Sequence, residues 1–196
     1  MNKFDIEDIE KNKIRKLPQI TFPGEIIVVD NDSSECEAFE HLSGYDALGF
    51  DTETKPTFKK GIANQNKVAL LQLCSEQKAY LFRLTSRPLS KEIISILASE
   101  YIVKAGAAVH DDIKALREMH DFQAAGFVDI QDMAEDAGLK VKSLRKLTAM
   151  LFHMRLSKSQ RLTNWEAMKL SKPQIIYAAT DAWISLKIYK ALKSAL

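Results

Sequence analysis

Residues 47–54 read ALGFDTET. The apolar start around Phe50 predicts a buried strand, and the end of that strand is carboxylate. Working outward, VALLQLCS (68–75) and KAYLFRL (78–84) are two more strand-like runs, separated by a few polar residues as in a hairpin. Upstream, IIVVD (26–30) is a short β-branched strand, and Ser33 or Ser34 is placed to cap a helix over 35–43. Before it, residues 4–16 form a charged helical stretch that Pro18 and the Pro23–Gly24 pair bring to an end. Downstream, Ser90 starts a helix with Ile93, Ile94, Leu97 and Ala98 on one face. IVKAGAAV (102–109) is a strand, DDIKALREMH (111–120) a helix and FVDI (127–130) a strand. From about 131 onwards the pattern is helical, and the last helix begins at Ser171-Lys172-Pro173-Gln174, a capping box with an early proline. Strands first, then alternating β and α, then helices predict a mixed α/β sheet protein.

Length and composition narrow the function. A chain of 196 residues with 46% apolar and 28% charged residues can bury one good-sized core. It holds no run of 18 apolar residues and no apolar leader, so neither a membrane span nor a secretory signal is expected. Cys36 and Cys74 are isolated, which excludes a cysteine zinc site and a disulfide scaffold. Buried free thiols in a reducing cytoplasm are the expectation. The net charge of +2 hides a gradient: residues 1–50 sum to −6, residues 51–137 to −2 and residues 138–196 to +10. Such polarity suits one basic face turned towards an anion, with the acidic first part turned away.

Asp51 and Glu53 lie two apart in a strand, so their side chains share a face. Adjacent carboxylates repel, and a divalent cation is a common remedy. A strand end running into solvent is the plainer alternative. In His110-Asp111-Asp112, helical phase puts Asp112 with Leu116 and Met119 on the apolar face, while Asp111 caps the helix or faces water. Tyr177 and Asp181 are stacked one turn apart on a largely apolar helix, where a purely structural Tyr–Asp hydrogen bond is an alternative. Four convergent carboxylates with no Cys ligand and no well-placed His suit Mg²⁺ or Mn²⁺. Two such ions roughly 4 Å apart are a device for phosphodiester cleavage.

These positions match a known pattern. Asp51-Thr52-Glu53, then Asp112 followed by Leu116, then Y-x-x-x-D at Tyr177 and Asp181 resemble, in order and spacing, the three motifs of the DEDD-type 3′→5′ exonucleases. Ile176 stands where the histidine variant needs its His, so the resemblance is to the tyrosine variant. VALLQLCSEQKAYLF and the stretch SLRKLTAMLFHMRLSKSQRLTNWEAMKLSKPQIIYAATDAW resemble the group that includes the Werner syndrome exonuclease domain and ribonuclease D. The resemblance implies a ribonuclease H-like mixed sheet, with the first three strands antiparallel, later strands parallel, and helices flanking it. It covers residues 25–196 as an exonuclease domain, leaving 1–24 as an N-terminal extension. By position it implies two divalent cations: Asp51 bridging both, Glu53 holding one and orienting the attacking water, Asp112 and Asp181 completing the sites, and Tyr177 orienting that water. The product would be a 5′-mononucleotide removed from a 3′ end, single-stranded or frayed. DNA is the implied substrate. Alternatives are ribonuclease D-like RNA processing, an idle nucleic-acid-binding module and a structural domain.

Residues 138–172 hold nine Lys/Arg against the single acid Glu166. Lys142, Arg145 and Lys146 have helical spacing for a cationic stripe, which a solvated helix face would also explain. Lys158 and Arg161, just ahead of the last helix, are the stronger candidates for sequence-independent phosphate contact, with Thr52 as a further contact. Phe58 could stack on a frayed base or belong to the core, and Trp165 and Trp183 belong to the core.

Overall fold

The computed structural model describes residues 9–57, 66–141 and 143–195. A six-stranded sheet runs through its centre, made of β1 (Glu25–Val29), β2 (Ala47–Thr54), β3 (Val68–Cys74), β4 (Lys78–Arg83), β5 (Val103–Gly106) and β6 (Phe127–Asp129). The spatial order is β1-β4-β3-β2-β5-β6. The meander β2–β3–β4 is antiparallel, β5 and β6 then add in parallel beside β2, and β1 adds in parallel beside β4 at the far edge. This is the mixed sheet of the ribonuclease H-like class that the sequence leads one to expect.

Every residue of β3, VALLQLC, is buried, because helices cover both faces. On one face, α2 (Asp32–Leu42), α3 (Lys91–Ala98) and α4 (Val109–Met119) pack on Leu48, Phe50, Leu71, Leu73 and Phe82. On the other, α5 (Ile130–Asp136), α6 (Leu144–Phe152) and the long α7 (Lys172–Lys193) pack on Ala69, Leu70, Leu81 and Ala105. Trp165 and Trp183 belong to this second core. Among the described residues no helix is long and apolar enough to cross a membrane.

Several elements differ from expectation for local reasons. The first helix, α1 (Lys11–Lys16), starts later than residue 4, and residues 1–8 lie outside the described residues. Asn31 caps α2, accepting from the Ser34 N–H, while Ser34 bonds back to the Asn31 N–H. Strand β5 stops at Gly106 and α4 begins at Val109, because Ala108 takes the left-handed conformation with φ 57°. Ile130 opens α5 instead of ending β6. Residues 153–170 are a turn-rich connection instead of helix: His153, at φ 52°, ends α6. Cys74 is buried, but Cys36 is exposed on α2. The capping box of α7, with Ser171 and Gln174 bonding reciprocally, forms as expected.

The chain ahead of β1 is packed down. Ile14 is buried, and Phe22 sets its ring 5.6 Å from that of Trp183. The Phe22 N–H donates to Thr180 Oγ1 at 3.0 Å.

Candidate active site

Strand alternation decides which carboxylates meet. Phe50 and Leu48 point to the α2–α4 side, so Gly49, Asp51 and Glu53 face α7. At Gly49 a Cβ would lie 2.0 Å from the Ala182 carbonyl oxygen, so the glycine lets helix and strand touch. The neighbour of Ala182 is Asp181. Carboxylate oxygens of Asp51, Glu53 and Asp181 consequently lie within 4.8 Å of one another. The capping box registers α7 so that Tyr177 sits one turn before Asp181. Its ring lies 6.0 Å from that of Trp165, and its hydroxyl is near enough to the Asp181 carboxylate for each to shift the other's proton affinity.

Asp112 reaches the same end of the sheet from α4. It stands outside the trio: the Thr52 hydroxyl, on the opposite face of β2 from Asp51, donates to its Oδ1 at 2.5 Å. Thr52, expected to touch nucleic acid, thus spends its hydroxyl on positioning Asp112. Asp111 is exposed and faces water, with Ala108 in the cap position. Asp129, which the sequence placed in a strand without a role, accepts the N–H groups of Val109 and Gln131 and so fixes where α4 and α5 begin.

The electrostatics follow from crowding. Burial, and then the charges of Asp181 and Asp112, push the Asp51 carboxyl well above the usual range. Burial and Asp51 push Glu53 up to about 10, against a downward pull from Arg161. Burial raises Asp181 to about 7, partly offset by the Tyr177 hydroxyl and Lys158. Asp112 rises to about 6 through burial, with the Thr52 bond opposing. Burial and Asp181 raise the Tyr177 phenol, which stays protonated as a donor. An all-oxygen donor set in mutual repulsion suits a hard divalent cation, whose charge would remove that repulsion.

Lys158 and Arg161 both lie in the connection ahead of α7, within electrostatic reach of Asp181 and Glu53 respectively. Arg145 is half-buried on α6, and its Nε is buried without a partner among the described residues. Lys142 and Phe58 lie outside the described residues. Beside Tyr177 and Asp181 opens a cavity of about 250 Å³, walled in part by Gln19, Ile20 and Thr21. Sequence reasoning missed that wall; an apolar Phe22 and Ile20 in a polar stretch were the available signal.

The model of a family described as 3′-5′ exonuclease matches residues 26–196. The bifunctional 3′-5′ exonuclease/ATP-dependent helicase WRN of Mus musculus is 34% identical over 188 residues, which is 90% of this chain and 13% of that protein. A 3′-5′ exonuclease of Arabidopsis thaliana is 28% identical over 203 residues, 94% of this chain and 69% of that protein. Among solved structures, the Aedes aegypti Nibbler EXO domain superposes with a TM-score of 0.79 at 22% identity, covering 90% of this chain and 92% of that one. Escherichia coli RNase D superposes with a TM-score of 0.78 at 22% identity, covering 87% of this chain and 45% of that one. These two likenesses establish the shared fold. The family match runs from β1 through α7 and takes in Asp51, Glu53, Asp112, Tyr177 and Asp181, and the chain belongs to the 3′-5′ exonuclease family.

Proposed function

We propose that the protein removes 5′-mononucleotides one at a time from the 3′ end of a DNA strand, with Asp51, Glu53, Asp112, Tyr177 and Asp181 as its catalytic set. The observation that carries this is the meeting of carboxylate oxygens of Asp51, Glu53 and Asp181 within 4.8 Å, with Tyr177 one turn before Asp181 on α7. Two divalent cations, Mg²⁺ or Mn²⁺, would be held by Asp51, Glu53, Asp112 and Asp181 and would supply the Lewis acidity for in-line displacement at phosphorus. Glu53 and the Tyr177 hydroxyl orient the attacking water. Its oxygen bonds to phosphorus, the bond to the 3′ oxygen of the next nucleotide breaks, and that oxygen leaves with a proton. Lys158, Arg161 and Arg145 hold the phosphates of the strand without reading its bases.

DNA is the substrate implied by the Werner-type resemblance of residues 68–82 and 143–183. The RNase D likeness makes RNA the competing outcome. The unpaired Cys36 and Cys74 support work in a reducing cytoplasm. In the test, 5′-labelled DNA, 5′-labelled RNA and a 3′-phosphate-blocked strand are incubated with Mg²⁺ or Mn²⁺ and either wild type or Asp51→Ala. Wild type shortens the unblocked DNA stepwise, and Asp51→Ala is slower by about a thousandfold or more. Equal trace activity in the two proteins overturns the exonuclease assignment, and faster shortening of RNA overturns the choice of DNA.

A further inference from the structure

The family match begins at residue 26, yet the chain before it reaches the candidate active site. Four hydrogen bonds tie it there. The Ile20 N–H donates to the Arg155 carbonyl at 3.0 Å and the Arg155 N–H donates to the Pro18 carbonyl at 2.9 Å, forming a short parallel bridge. Arg155 Nε donates to the Leu17 carbonyl at 3.0 Å. The Phe22 N–H holds Thr180, the residue next to Asp181. This clamp fixes the start of the connection that carries Lys158. Between strap and helix lies the cavity of about 250 Å³, with Ile20 and Leu156 on one side and Tyr177 and Asp181 on the other.

Charge points the same way as this geometry. Partial burial, and then the positive charges of Arg145, Arg161 and Lys11, lower the proton affinity of Lys158. Lys11 belongs to α1, so the strap brings a fourth cation to this group. None of the four has an acidic partner within 4.0 Å among the described residues. Lys158 and Arg161 also feel the acids Asp181 and Glu53, but the four cations repel one another, and a chain of phosphates relieves that repulsion.

We propose that residues 9–22 are a working part of the substrate cleft: they wall a nucleotide-sized cavity beside Tyr177 and Asp181 and add Lys11 to a phosphate-binding cluster with Arg145, Lys158 and Arg161. This rests on the exonuclease assignment for the identity of the ligand, a nucleic-acid strand with a free 3′ end. Lys11 is then a binding residue and Arg155 a positioning residue.

The test uses the full chain in EDTA, where no strand is consumed. A fluorescent single-stranded oligonucleotide with a free 3′ hydroxyl is titrated with wild type, Lys11→Glu, Lys13→Glu and Ile20→Trp over a series of salt concentrations. Lys13→Glu is the control for a charge change on the same exposed helix. Lys11→Glu is expected to raise Kd about tenfold and to flatten the salt dependence by about one to two phosphate contacts, while Lys13→Glu stays within about twofold. Ile20→Trp fills the cavity and raises Kd at unchanged melting temperature. If it melts early, Ile20→Met fills less space and serves instead. With Mg²⁺ present, Lys11→Glu and Ile20→Trp raise KM and leave kcat close to wild type, while Lys13→Glu keeps the wild-type KM. Wild-type Kd in Lys11→Glu, or equal weakening in Lys11→Glu and Lys13→Glu, overturns the proposal. Lys11-dependent binding by a wild type that never shortens the strand sinks the exonuclease assignment and leaves the proposal standing. A wild type that cleaves while Lys11→Glu keeps its KM sinks the proposal alone.

Discussion

Two groups of acids withdrawn from water in this molecule are treated in opposite ways. Glu35, on α2, is buried, and the fold supplies all it needs: Arg87 Nη2 lies 2.5 Å from one oxygen, and the Ser90 N–H donates to the other at 2.9 Å. That arrangement joins α2 to the start of α3. Asp51, Glu53 and Asp181 receive no cation within 4.0 Å among the described residues, and each lies against the others. A carboxylate whose charge is met by the protein is a tie between elements. Carboxylates left to repel one another are a cost in stability kept for a ligand. The two clusters therefore respond to mutation with opposite signs.

The largest contrast comes from Asp181→Asn. We expect exonuclease activity to fall by about a thousandfold. In EDTA the melting temperature should rise by roughly 2–4 °C, because a repelling charge is gone. A lower melting temperature in EDTA would break the comparison. Glu35→Ala should do the reverse. It leaves Arg87 and the Ser90 N–H without their acceptor and costs about 2 kcal/mol, a value held down because the Arg87 side chain is 25% exposed. Denaturant unfolding measures this, and activity per folded molecule should be unchanged. The smallest effect is a tilt with pH. Asp181 is raised from 3.8 to about 7 by burial, with Tyr177 and Lys158 opposing. The folded form then keeps a proton that the unfolded chain has already lost. The contribution of this one group is full below about pH 4 and is lost as pH rises through about 7. Melting of the EDTA-treated protein should drop by a few degrees between pH 5 and 8. Added Mg²⁺ should flatten that slope, and Asp181→Asn should reduce it to the part that Asp51 and Glu53 cause; a slope unchanged by either would show that other groups cause it.

The elements that build the site were legible because their signals are local. ALGFDTET carries its strand period and its carboxylates within eight residues, and the Ser171–Gln174 capping box sets the phase of Tyr177 and Asp181. Less local features escaped. Ile14 is a lone apolar residue among charges and Phe22 stands between Thr21 and Pro23, and only the burial of both, with Phe22 against Trp183 of α7, shows that this stretch is packed. The position of β1 beside β4 depends on a crossover that no residue within EIIVV encodes. The end of α6 at His153 and the turn at Ala108 are left-handed positions occupied by residues that do not advertise them. Strand alternation alone does not reveal that α4 brings Asp112 under the Thr52 hydroxyl.

The contact of Gly49 with Ala182 also has a bearing on how the molecule is made. It joins the third residue of β2 to the middle of the last helix, across most of the sequence. Loops of that length close late, after the local hairpin β3–β4 and the neighbouring helices have formed. A growing chain that has not yet released α7 holds Asp51 and Glu53 without Asp181, and lacks the helix that covers one face of its sheet. The carboxylate trio and the finished core therefore arise in the same event. A partly synthesised or unfolded copy therefore lacks the assembled carboxylate trio.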